Sequence, residues 1–107
     1  MDLQSIVVLT LHSPRERIWG ELVGLTAAGI TVRGTELNSF EEVVRQIAAG
    51  EAGLGALATV FYPIHRVERM ALDETIGEIP SLAERFERKI GITVVDFLNA
   101  GRNLPMP

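Results

Sequence analysis

Three side chains within five positions, Tyr62, His65 and Arg66, form the chemically richest cluster in this sequence. An aromatic face, a ring donor and a fixed cation at one turn suit stacking on a base and contact with its phosphate rather than bond making. The structural alternative is that Tyr62 packs at a subunit contact while Arg66 pairs with Glu68 or another nearby acid. Other chemistry is thinly represented. The chain has no cysteine, which excludes disulfides, thiolate nucleophiles, iron-sulfur clusters and Cys-based zinc sites. The two histidines, His12 and His65, are far apart, so no metal site is expected, and His12 at a strand end reads as structural. EAGLG at 51–55 has neither the lysine nor the following helix of a phosphate loop. No serine or threonine has an adjacent base by spacing. No catalytic residue, metal or cofactor is assigned, and an enzyme is the least favoured class.

Bulk properties set the frame for these residues. A chain of 107 residues supports one core and is short for two domains, and 47% hydrophobic with 22% charged residues is an ordinary globular composition. The net charge of -4 works against loose attraction to phosphate backbones. Residues 1–79 hold six Arg against eleven acids, whereas residues 80–107 hold four basic residues against three acids, so an anion-binding surface must be local. Arg15, Arg17 and Arg33 alternate with Glu16, Glu21 and Glu36, which reads as a solvated mixed surface. The start MDLQSIVVLT lacks the features of a secretory signal, and no apolar run reaches spanning length, so a cytoplasmic protein without membrane contact is expected.

The elements that position the cluster follow from hydrophobic period and breakers. SIVVLTLH at 5–12 is a strand with two apolar faces, stopped by Ser13-Pro14. RIWGELVGLT at 17–26 is a second strand, bent at Gly20 and Gly24. Ala27-Ala28-Gly29 turns it into a third, 30–37, with Ile30 and Val32 inward. Trp19 lies opposite Ile18 and Leu22, so it points away from the inner face, toward either a covering helix or a protein interface. The period then changes. Ser39 and Glu42 fit a capping box for a helix at about 39–49 carrying Phe40, Val43, Val44, Ile47 and Ala48 on one face and ended by Gly50. A glycine-rich link leads to a fourth strand at 56–62, broken by Pro63, and a short fifth at 67–72. Beyond Pro80, a second capping-box pattern, Ser81 to Glu84, starts a helix with Leu82, Phe86 and Ile90 and a stop at Gly91. A last helix at 93–99 follows, capped by Thr93, and the end RNLPMP should fray.

Three strands, an interruption, then a fourth and a fifth around a Pro-containing turn resemble the Sm-like fold of the Sm, LSm and Hfq families. Ile18-Trp19-Gly20-Glu21-Leu22 with Leu25 is similar to the first Sm motif, and Ile64 through Met70, with Val67 and Met70 at the apolar spacing, to the second. The resemblance covers about residues 5–73 and implies a mainly β fold with added helices. That fold is a five-stranded Sm-like or SH3-like small barrel over 1–74 with the inserted helix, and a C-terminal helical extension over 75–107. It also implies a homo-oligomeric ring joined through the edge strands, with Trp19, Val60, Val67 and Met70 as interface residues, and RNA as ligand through Tyr62, His65 and Arg66. The departures are specific. Thr26-Ala27-Ala28-Gly29 lacks the Asp and the Met-Asn-type pair that clamp a base in the family, and Pro63-Ile64-His65-Arg66 replaces its basic-glycine turn. The alternative is therefore a protein assembly or adaptor module. Residues 82–102 also look like the second helix-turn-helix segment of AraC-type regulators, through Phe86, Gly91, Phe97 and Leu98. That would imply DNA binding, which Glu84 and Glu87 oppose.

Overall fold

A computed structural model describes residues 1–51 and 57–102. The chain runs β1 (Ile6–Leu11), β2 (Glu16–Thr26), β3 (Gly29–Glu36), α1 (Phe40–Ala48), β4 (Ala58–Pro63), β5 (Val67–Leu72), α2 (Leu82–Ile90) and α3 (Val94–Arg102). Gly53, Gly55 and Ala56 of the expected link and fourth strand, and residues 103–107 of the expected frayed end, lie outside the described residues.

The strands form one antiparallel sheet in the order β4-β3-β2-β1-β5. β1 sits between β2 and β5, and its two apolar faces meet two different cores, as its sequence requires. Val7, Leu9 and Leu11 join Ile18, Leu22, Ile30 and Val32 in a first core, with Tyr62, Val67 and Met70 packed against it. No helix contributes to this core, so the sheet must curl over its own side chains. Gly20 and Gly34 permit the curl: they face each other across β2 and β3, and a Cβ on either would stand 2.7 or 2.6 Å from the other's Cα and run into the facing backbone. Gly24 plays a different part. The register slips between Leu22 and Gly24, a bulge, and a Cβ at Gly24 would meet only the Thr31 side chain at 3.6 Å.

Among the described residues β4 pairs only with β3 and β5 only with β1. The fold is a curled, open five-stranded sheet with three helices, a mixed α/β arrangement, where a mainly β fold with a closed barrel was expected.

The helices cover the sheet's other face. Trp19, Phe40, Val44, Leu57, Phe86, Val94 and Leu98 make a second core, with Ile6 and Val8 packed against it. Trp19 is only 1% exposed, its ring 4.9 Å from Phe40 in an edge-on contact and 6.1 Å from Phe86, which in turn lies 5.7 Å from Phe97. Such pairs contribute about 0.5–1.5 kcal/mol each beyond the area they bury. The segments 1–74 and 75–107 thus share one apolar core. Glu21, expected on a solvated surface, is fully buried on the same side of β2 as Trp19, opposite Arg33 in register.

The caps differ in how they form. Ser39 precedes α1 in a helical conformation, closing a 3-10 turn, and caps nothing, while Glu42 turns to Arg45 and Gln46 instead. Ser81 does accept from the Glu84 N–H at 3.0 Å, and Thr93 from Asp96 N–H at 3.0 Å. Gly50, φ +75°, and Gly91, φ +97°, end α1 and α2 in the left-handed region. Among the described residues no helix is long and apolar enough to cross a membrane.

Candidate functional site

Tyr62, His65 and Arg66 come together at the β4–β5 turn, a 3-10 turn over Ile64–Arg66. Backbone bonds tie this turn into the sheet on both sides: the Ile64 N–H donates to Ala28 O in the β2–β3 hairpin, and Arg66 O accepts from His12 N–H, both at 2.9 Å. The Arg66 guanidinium folds back the same way. Its Nε donates to His12 O at 3.2 Å, its Nη2 to Pro14 O at 2.7 Å, and Glu16 Oε2 lies 3.8 Å from Nη2. A cation held by two carbonyls and a nearby carboxylate closes the β1–β2 turn, with two of its five donors committed there. It pairs with Glu16, where Glu68 was the nearer acid in sequence.

Tyr62 is half-buried against the first core, directly opposite Ile30. Burial, then the negative charges of Glu16 and Glu36, push its phenol above the ordinary tyrosine value of 10.0, opposed by Arg66. One side of the ring is therefore taken up by the first core. His65 is exposed, and His12, also exposed, places its Nδ1 3.2 Å from Ser13 Oγ. The geometry therefore gathers the three residues and assigns two of them to holding the fold.

The four residues expected at an interface part company as well. Trp19 lies under α1 and α2, so the covering helix, and not an interface, is where its indole goes. Val67 and Met70 pack into the first core. Val60 remains open on β4, 40% exposed beside Phe61 at 51%, and the first four residues of that strand are all exposed. Alternation places Val60 and Phe61 on opposite faces of the same margin.

Sequence reasoning missed a junction centred on Asp73, just past β5. Its Oδ2 accepts from Trp19 Nε1 at 3.0 Å and from Ala83 N–H at 2.7 Å, and its Oδ1 from Leu82 N–H at 2.9 Å. One carboxylate thereby caps α2 from outside the helix and pins the indole beneath it. Asp73 lies 54 residues from Trp19, and no local pattern marks the pair. A groove of about 690 Å³ between α1 and α2 was missed too. It is lined by Phe40, Val44 and a mixed set of charges in which Arg85 pairs with Glu41 and stacks over Phe40 at 5.5 Å.

Among the described residues no three His, Cys, Asp or Glu side chains converge as a metal site would need. No family model, curated protein or solved structure matches this chain.

Proposed function

We propose that this chain is a non-catalytic assembly module of Sm-like type, forming a homo-oligomer in which β4 of one copy pairs with β5 of the next. The observation that carries the reading is the pair of open margins. β4 and β5 each have six residues and each use one edge for pairing, and β4 presents Val60 and Phe61 without the charges or covering helix that normally protect such an edge. Joining unlike edges head to tail gives a closed ring when the rotation closes. A lack of cysteine fits a reducing cytoplasm.

Light scattering on the full chain across about 10–100 μM, above the dissociation constant of a modest interface, should return a multiple of the 11.7 kDa chain mass. V60K and F61K should shift it toward monomer with the circular dichroism intact. A wild-type monomer throughout that range refutes the ring. RNA binding, the other Sm-like reading, has less support, because Arg66 is engaged within the chain and Tyr62 is partly buried against the first core. Titration with oligo-U and oligo-A at low salt tests it. DNA binding by α2 and α3 has the least support: Phe86, Val94 and Leu98 are committed to the core, and Arg85 and Arg88 to Glu41 and Glu84.

A further inference from the structure

The face of the sheet beside α2 carries a row of residues unused by the assembly reading. Thr10 on β1 is the register partner of Arg17 on β2 and of Arg69 on β5, so the three stand side by side across three strands, on the face that also carries Val8 and Trp19. Two interstrand steps separate the arginine backbones by roughly 10 Å, with the threonine between them. Arg15, from the β1–β2 turn, lines the same cavity of about 460 Å³, whose floor includes Val8, Thr10 and Ala71.

The charges of this row lack internal partners. Arg45, Arg66, Arg85 and Arg88 each pair with a glutamate, whereas Arg15, Arg17 and Arg69 enter no ion pair among the described residues. Strand alternation explains the difference: Glu16 points to the opposite face from Arg17 and is taken by Arg66. Thr10 is only 7% exposed yet lines the cavity, and among the described residues no hydrogen bond occupies its hydroxyl. Between Thr10 and Leu11 the β1–β5 register slips, placing Glu68 as an extra residue beside Arg69, a bulge of the kind that re-aims side chains. Three acids also line the cavity. Asp73 is committed to Trp19, Leu82 and Ala83; Glu68 and Glu74 remain and fence the β5 side.

We infer that Arg17, Arg69 and Arg15 form a binding site for a compact phosphate-bearing anion seated over Thr10. Planar guanidinium forks bind phosphate oxygens in pairs, and the threonine hydroxyl supplies a further donor between them. Cations of like sign gathered in one row repel each other, and a bound dianion reverses that cost. Glu68 and Glu74 favour a small ligand held between the arginines over a polyanion laid across the cavity. The site lies on the sheet face, whereas the proposed ring uses the strand margins, so the two ideas fail separately.

The test is calorimetry and amide NMR on the full chain with inorganic phosphate, pyrophosphate and adenosine triphosphate, against chloride and malonate at matched ionic strength. Binding of at least one phosphate probe is expected, with shifts confined to β1, β5, the β1–β2 turn and the start of β2. R17Q and R69Q should each weaken it about tenfold or more, as loss of a charge-assisted pair implies. T10V should weaken it several-fold and T10S restore it, and R88Q, outside the site, should leave it unchanged. Light scattering on R17Q and R69Q should match the wild type. No binding at millimolar probe, equal loss in R88Q, a preference for malonate, or shifts centred on the α1–α2 groove would each overturn the assignment.

Discussion

Replacing Asp73 by alanine probes the contact that fastens the C-terminal helices to the sheet. The carboxylate accepts three N–H bonds, two from the first turn of α2 and one from the Trp19 indole, all part-buried. Bonds to a charged acceptor contribute about 1.5–3 kcal/mol each when well enclosed, and a lost helix cap costs about 0.5–2 kcal/mol. The two helix amides can turn to water at the edge of the junction, whereas the indole N–H of a buried ring cannot, and leaving it unpaired costs about 1–3 kcal/mol. The cap and the stranded indole together give about 1.5–5 kcal/mol, so D73A should lose about 3 kcal/mol and D73N about 1–1.5 kcal/mol, since the amide oxygen keeps one acceptor without the charge. Against a typical total of about 5–15 kcal/mol this is a large fraction. Trp19 is the only tryptophan, so its fluorescence in a urea titration reads the junction directly. A cycle with W19F, followed by circular dichroism, should return a coupling of about 1 kcal/mol between the two positions. If D73A unfolds within about 0.5 kcal/mol of wild type, the normal range for surface substitutions, the carboxylate does not hold the helices and the argument fails.

Other outcomes follow from the same geometry. G34A should cost about 3 kcal/mol or abolish folding, because its Cβ meets backbone that cannot move aside, while G24A should change stability by less than about 1 kcal/mol; urea melts of the two distinguish a close strand approach from a bulge. The single tyrosine should titrate above 10.0 when absorbance at 295 nm is followed, and E16Q or E36Q should bring it down. Since the folded state holds that proton more tightly than the unfolded state, the associated stability is fully present below pH 10 and is lost as pH rises through the folded value. G91A should lose about 1 kcal/mol by thermal melting, the cost of a Cβ in the left-handed C-cap of α2.

Strand order was legible in the sequence because its signals are local. The apolar run at 5–12, alternation in 30–37, Pro14, the Ala-Ala turn and Pro63 each act within a few residues, and the observed strands follow within two positions. Gly91 and Thr93 were legible for the same reason, as caps whose partners lie close in the chain. Ser39 looked identical to Ser81 as a cap and behaves differently, because the preceding 3-10 turn holds its backbone helical; the flanking segment decides, and that depends on how β3 ends. Gly34 passed unnoticed beside Gly20, since a close approach of two strands is a property of the pair. Tyr62, His65 and Arg66 meet at one turn as their spacing implies, but the partners of Arg66 were not legible, because they lie at His12, Pro14 and Glu16, some fifty residues away.

The largest difference concerns residues 75–107, which read as an appendage and supply three of the seven buried side chains of the second core. Composition explains why the link was invisible: an amphipathic helix shows which face it buries and not what against. Phe86, Val94 and Leu98 needed an apolar surface, and the outer face of β1 and β2, with Ile6, Val8 and Trp19, needed a cover; matching the two demands follows from accounting for both. The same accounting applied to charge is what singles out Arg17 and Arg69. At the row of Thr10 the arginines stand exposed and enter no ion pair among the described residues. A chain truncated after Leu72 would uncover Trp19, Phe40 and Val44 together and lose Asp73. Burial of three large side chains contributes about 1.5–3 kcal/mol each, so this truncated chain should fail to give a cooperative urea transition; if it folds with a native-like melt, the helices are an accessory and the shared core is not what stabilises the sheet.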